Sequence, residues 1–253
     1  MPFDFQGKTV LITGASRGIG QATAIAFAQA GAKVAVHYHQ QRSPAEQVQQ
    51  SLAGTGHCLV QADVADPIAV EKMVEEAIAQ LGQIDILVNN AGIYQEHPLD
   101  KTEYVQWQAQ WNQAIAVNLL GAVNVSYCVA KPMIERRSGR IINVTSRGAF
   151  RGEPTAPAYG ASKAGLNAFS QSLAQHLAPY NITVTAVAPG WVETDMARPS
   201  LEGASGNAIR QQSPLNRVAL PEEIAHTILF LASDQAAFAT GAIVDVNGAS
   251  YLR

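Results

Sequence analysis

Cysteine is scarce: Cys58 and Cys128 are the only two in 253 residues, far apart and without CxxC spacing. That argues against a disulfide framework or a Cys-rich zinc site and for two buried thiols in a reducing compartment. No metal site is expected. Positive charge is in short supply too. Lys and Arg total 17 against 20 Asp and Glu, a net charge of −3. With no basic surplus to track a phosphate backbone, nucleic acid is not an expected partner. No uninterrupted apolar run reaches the ~18 residues that suggest a membrane span. The stretch Met1 to Lys8, ahead of the first apolar run, is too short and polar for a signal peptide. A cytoplasmic location with no membrane partner is the expectation. No linker, charge block or repeat divides the chain, so 1–253 is read as one domain.

What is present is alternation. Short apolar runs (Thr9–Ile12, Lys33–His37, Cys58–Val60, Asp85–Val88, Arg140–Val144, Ile182–Val187, Ala242–Val246) read as strands. Stretches with apolar residues at helical spacing lie between them, as at Val70, Met73, Val74, Ala77, Ile78 and Leu81. Near-continuous apolar strands alternating with helices predict an α/β, doubly wound parallel sheet covered on both faces. The least regular stretch, 195–216, is rich in Gly, Ser, Pro and Asn and follows a strand end. It is expected to be a substrate loop, since ligands in such sheets sit beyond the strand ends.

Thr13-Gly14-Ala15-Ser16-Arg17-Gly18-Ile19-Gly20 lies between the first strand and the first helix. Glycines let the backbone turn sharply and approach a pyrophosphate, and the helix N-terminus offers free N–H groups and partial positive charge. The spacing is GxxxGxG rather than GxGxxG. NAD sites usually place an acid ~20 residues further on, against the ribose 2′-hydroxyl. Here the segment reads Val36-His37-Tyr38-His39-Gln40-Gln41-Arg42, without a carboxylate. Arg17 offers a bidentate partner for a 2′-phosphate, with His39 or Arg42 assisting. NADP(H) is therefore favoured, with NAD(H) possible.

Ser146 follows a strand, and Tyr159 stands thirteen positions later, ahead of Gly160-Ala161-Ser162-Lys163. Residues at i and i+4 share a helix face, so Tyr159 and Lys163 point the same way. Carbonyl reduction leaves negative charge on an oxygen that must receive a proton. A free tyrosine, with a pKa of ~10, is a weak base for the reverse reaction. An ammonium ~4 Å away is expected to lower that pKa by up to roughly three units. Ser146 would hydrogen-bond the substrate oxygen.

Together, Thr13-Gly14-x-x-x-Gly18-Ile19-Gly20, Asn89-Asn90-Ala91-Gly92, Ser146, Tyr159-x-x-x-Lys163 and Pro189-Gly190 resemble the short-chain dehydrogenases/reductases in order and spacing. The resemblance covers nearly the whole chain. It implies a Rossmann-like domain with a seven-stranded sheet, usually in a homotetramer. It also implies that Asn118 is a fourth catalytic residue, through a proton relay. Asp63 and Val64 would contact adenine, and Asn90, Ala91 and Gly92 would lie beside the adenosine. Pro189, Gly190, Val192 and Thr194 would receive the nicotinamide amide, and Tyr159 and Lys163 its ribose. On its own residue type, Asp63 reads as a helix cap. Within the family, the segment from Pro189 to Met196 and the C-terminal Asp245 to Leu252 are most like 3-oxoacyl-carrier-protein reductases. Arg136, Arg137 and Arg140 would then supply a basic patch for a carrier. Two features depart from that pattern: a longer stretch between Gly92 and Asn118, and Gln175 where a basic residue is common.

A small carbonyl or alcohol substrate, free or as a carrier-bound acyl chain, is thus expected. Sugar and polyol dehydrogenases share the motifs, and a dinucleotide-sensing scaffold is the non-enzyme alternative. Arg147, Arg151, Trp191 and Met196 are candidate substrate contacts, Leu201 is a further candidate pocket wall, and Tyr94 and Trp107 read as pocket or plain core. At least one of Arg147 and Arg151 is expected to pair with Glu153.

Overall fold

The first strand, β1 (Thr9–Ile12), is buried along its whole length because helices cover both its faces. The same holds for β4 (Ile86–Asn89) and β6 (Ile182–Pro189). With β2 (Lys33–Tyr38), β3 (Cys58–Gln61), β5 (Gly139–Val144) and β7 (Ile243–Val246) they form a seven-stranded sheet in the order β3-β2-β1-β4-β5-β6-β7. Every pairing is parallel. The structure, a computed structural model, describes residues 3–253. Met1 and Pro2, the start of the polar leading stretch, lie outside the described residues.

One face of the sheet packs on α1 (Gly18–Gln29), α2 (Arg42–Ser51) and α10 (Pro221–Ala232), around Phe27, Val36 and Ile228. The other packs on α3 (Pro67–Leu81), α5 (Gly121–Arg136) and α7 (Pro157–Leu177), around Met73, Val129, Met133 and Leu177. Strand order reverses between β1 and β4, and the crevice beyond that switch point is where such sheets bind ligands.

A helical stretch runs from α4 (Tyr104–Ile115) through a π-turn (Ala116–Leu120) into α5. By length and apolar composition it could cross a membrane. It is instead a core helix of the domain, since Val125, Val129 and Met133 are fully buried against the sheet.

The expected loop at 195–216 contains two short helices separated and followed by turns. Two five-residue helices, α8 (Arg198–Glu202) and α9 (Gly206–Arg210), fold over the sheet's C-terminal edge. Ala197, Leu201 and Ile209 form a small apolar cluster with Trp191 and Val218, which gives these short turns their stability. Leu201 is therefore core rather than pocket wall.

Candidate active site

A cleft of about 570 Å³ opens at the switch point. Its floor is the turn after β1. Gly14 has φ +64°, and a Cβ there would come within 2.9 Å of Ala91 Cα. Gly20 packs so tightly that a Cβ would meet Gly14 O at 2.3 Å and Asn90 Nδ2 at 2.6 Å. Gly20 is thus a packing glycine, not the ligand-facing residue expected. Asn90 Nδ2 donates to Thr13 O and Gly14 O, both at 3.0 Å, and the N–H groups of Asn90 and Ala91 donate to Thr13 Oγ1. The loop after β4 therefore clamps the turn. His37 completes the clamp from β2. Its Nδ1 accepts from Gly14 N at 2.9 Å, which leaves Nε2 to donate to Ala62 O at 3.1 Å. Burial pushes this imidazole down to about 4, so it is neutral at physiological pH.

The N-terminus of α1 has neither a side-chain cap nor an acid in its first turn. Those N–H groups are free to accept an anion, and Ser16, Arg17 and Ile19 lie beside them along the cleft. A dinucleotide fits this arrangement. His39, Asp63 and Val64 line the cleft beyond the ends of β2 and β3. His39 Nε2 sits 3.8 Å from Asp63 Oδ2. Asp63 does not cap α3; its Oδ1 accepts from Ala65 N in a turn, while Asp66 caps the helix. Arg42 is turned away onto Glu46 at 2.7 Å and does not line the cleft.

The other wall carries Ser146, Tyr159 and Lys163. Ser146 lies just past β5, and its Oγ accepts from Gly148 N at 3.0 Å, which leaves its proton free to donate. Pro157 starts α7 at a first-turn position and brings Tyr159 and Lys163 to one face. Burial pushes the Tyr159 phenol up to about 12; the Ser146 hydroxyl opposes this, while Glu153 and Tyr94 add to it. Lys163 lies 5.9 Å from the Tyr159 ring centroid and donates to Val144 O at 2.8 Å. Burial pushes its ammonium down to about 8. Among the protein groups, burial sets the direction at the phenol, and Lys163 is not among the groups that move it. At neutral pH the phenol is a proton donor and the lysine a cation.

Asn118 sits in the π-turn and is buried. Its Oδ1 accepts from Ile93 N at 2.8 Å, and its Nδ2 donates to Ile93 O at 3.0 Å and Ser162 Oγ at 3.2 Å. It does not line the cleft directly. A Cβ on Gly92 would nevertheless lie 3.3 Å from Asn118 Oδ1 and 3.4 Å from Lys163 Nζ, so both atoms converge on that bare backbone. Beyond β6, an isolated bridge of Val192 to Ala219 pins Pro189, Gly190, Trp191, Val192 and Thr194 along the cleft. Met196 lines its outer edge.

A family model described as Enoyl-(Acyl carrier protein) reductase matches residues 14–249. The chain belongs to the short-chain dehydrogenase/reductase family. It is 40% identical over 249 residues to the 3-oxoacyl-[acyl-carrier-protein] reductase FabG of Escherichia coli (strain K12), spanning 98% of this chain and 99% of the relative. It is 41% identical over 244 residues to the 3-oxoacyl-[acyl-carrier-protein] reductase of Synechocystis sp., spanning 95% and 96%. Identity to FabG of Staphylococcus epidermidis (strain ATCC 35984) is 38% over 247 residues, spanning 97% and 99%.

Several expectations for this family member need correction. Arg136 donates to Ile84 O, Arg137 to Pro179 O, and Arg140 pairs with Asp234 at 2.8 Å. These three arginines lie near the start of β5, a strand length of roughly 20 Å from Ser146. Neither Arg147 nor Arg151 pairs with Glu153: both donate to Gln212 Oε1. Arg151 is exposed and stands outside the cleft.

Of the residues read as pocket or core, Tyr94 lines the cleft with its ring edge-on to Tyr159 at 5.2 Å. One feature escaped the sequence. His97 is buried and caps α7: Nε2 accepts from Ala158 N at 3.3 Å, and Nδ1 donates to Gln95 O at 2.9 Å. Trp107 packs edge-on to His97 and stands outside the cleft. A histidine just before Pro98, in a segment longer than the family norm, was the available signal.

Proposed function

We propose that this protein is an NADP(H)-dependent reductase that converts the 3-keto group of a 3-oxoacyl thioester, free or carrier-bound, to a hydroxyl. NAD(H) is the poorer cofactor. One arrangement carries the reading: Ser146, Tyr159 and Lys163 line the cleft that the uncapped N-terminus of α1 also enters.

A nicotinamide dinucleotide supplies the hydride. Gly14, Ser16, Gly18 and Ile19 would hold its diphosphate, and Arg17 with His39 the 2′-phosphate. Asp63 and Val64 would flank the adenine, with Asn90, Ala91 and Gly92 beside them. Pro189, Gly190, Val192 and Thr194 would take the nicotinamide amide. Ser146 donates to the substrate carbonyl oxygen and fixes its position. Tyr159, protonated at neutral pH, gives its proton to that oxygen as the charge develops. The Lys163 ammonium stabilises the phenolate left behind, and Asn118 steadies the Ile93 backbone beside it. We also expect a cytoplasmic homotetramer. Exposed Tyr104, Val105, Leu120 and Tyr127 along α4 and α5 support an assembly surface there.

The test is NADPH consumption with an acetoacetyl thioester, hexoses and polyol-derived ketones in parallel. Fast turnover of the thioester supports the reading. Turnover of sugars alone would replace the substrate class, and tight NADPH binding without turnover of any carbonyl would favour a sensing scaffold.

A further inference from the structure

One buried cation in the cleft lacks a partner of opposite charge. Arg147 is 3% exposed, and its backbone N–H is tied to Pro189 O at 2.9 Å. It stands directly after Ser146, where the ends of β5 and β6 meet. Its guanidinium donates to the amide oxygen of Gln212. Arg151, at the end of the short helix α6 (Gly148–Arg151), sends an N–H to that same oxygen at 3.4 Å. Two guanidiniums converge on one neutral acceptor.

No carboxylate lies within 4 Å of either guanidinium among the described residues. Glu153, also on the cleft wall, is close enough only for a through-space effect. Its own carboxyl is held above the usual range by burial. The next arginine, Arg217, is already satisfied by Glu223 at 2.6 and 2.7 Å. A guanidinium removed from water is costly unless a countercharge or a full set of acceptors surrounds it. An amide oxygen shared with a second cation is neither.

Arg147 also forms the partition between the main cleft and a smaller cavity of about 80 Å³, bounded by Trp191, Ser213 and Asn247. That space suits a compact polar group rather than an acyl chain. The planar fork of a guanidinium matches an oxyanion with two or more terminal oxygens.

We propose that the cleft selects a carbonyl substrate bearing a carboxylate or phosphate on the limb that reaches toward α9, with Arg147 as its anchor and Arg151 reinforcing it. This rests on the oxidoreductase reading and goes beyond its thioester class to anionic oxo compounds. Gln212 holds the fork in place and yields to the incoming oxyanion.

The experiment compares kcat/KM for matched pairs with NADPH: acetoacetate against its ethyl ester, and dihydroxyacetone phosphate against dihydroxyacetone. The wild type should favour the charged member of one pair by at least tenfold, and which pair responds separates carboxylate from phosphate. Gln212→Glu, at an exposed position, would give Arg147 an internal carboxylate, and the charged-to-neutral ratio should fall toward one. Arg147→Gln should lower the same ratio, provided its circular dichroism matches the wild type. Neutral members preferred by the wild type, or a ratio that survives in Gln212→Glu, would overturn the proposal. If a plain acetoacetyl thioester is reduced while neither charged compound is favoured, only this inference falls. If nothing is reduced, the oxidoreductase reading falls with it.

Discussion

Raising the pH through 8 should slow carbonyl reduction by this protein while stabilising its fold. Both effects come from Lys163. Its ammonium is buried beside Val144 O, and burial pushes it down to about 8 from an ordinary value of 10.5. The charge that steadies the developing phenolate is therefore lost as pH rises. At pH 9 only about a tenth of the lysines remain charged, so kcat/KM should fall roughly tenfold from its plateau, or ~1.4 kcal/mol. Stability moves the other way. Above pH 8 the unfolded chain binds this proton and the folded chain does not, so the Lys163 contribution rises with pH, by about 1.4 kcal/mol per unit, and the net rise is read between pH 8 and 9, before the Cys58 thiol, pushed up to about 11 by burial, begins to oppose it. The assay pairs initial rates of NADPH oxidation from pH 6 to 10 with urea unfolding at the same values. A rate that stays flat to pH 9.5, or that falls only near 10.5, would refute the assignment of Lys163 as a buried cation with a working charge. Parallel losses of rate and stability would point to general unfolding instead.

Three further outcomes follow from the same geometry. Arg17→Ala should weaken NADPH binding about tenfold and NADH binding by less than about twofold, one charge-assisted contact to the 2′-phosphate being worth roughly 1.5 kcal/mol; fluorescence titration with both cofactors measures this, and equal losses would remove the basis for cofactor choice. His37 is held near 4, so the fold should lose stability as pH falls from 6.5 toward 4, by up to roughly 3 kcal/mol, because the unfolded chain takes up a proton that the folded chain refuses; His37→Gln should flatten that part of the pH–stability curve. His97→Ala removes the cap of the helix that carries Tyr159 and should cost about 1 kcal/mol in urea unfolding, lower kcat more than it changes KM, and be partly rescued by His97→Asn.

The strands and their order of use were legible because parallel strands covered on both faces must be apolar throughout, as Ile141, Ile142 and Val144 are. The cleft residues were legible because the glycine turn, Asn90 to Gly92, Ser146 and Pro189-Gly190 follow strand ends, and because Tyr159 and Lys163 stand at helical spacing. Three kinds of feature were hidden. The helices α8 and α9 are five residues each, too short for a periodic signal, and their glycines and serines read as loop. The π-turn at Asn118 depends on one extra residue in a helical register, which composition cannot reveal. The direction of pKa shifts at Tyr159 and Lys163 is set by burial, whereas spacing alone reveals only that the two share a face.

Replacement of Tyr159 by phenylalanine is the most direct test, because it removes one oxygen and leaves the ring packed against Tyr94. The NADPH dissociation constant should stay within about threefold of the wild type, while kcat for the acetoacetyl thioester drops by roughly 10³, within the range general acid catalysis contributes. A Tyr159→Phe enzyme turning over within tenfold of the wild type would contradict the proton-donor role on which the account stands.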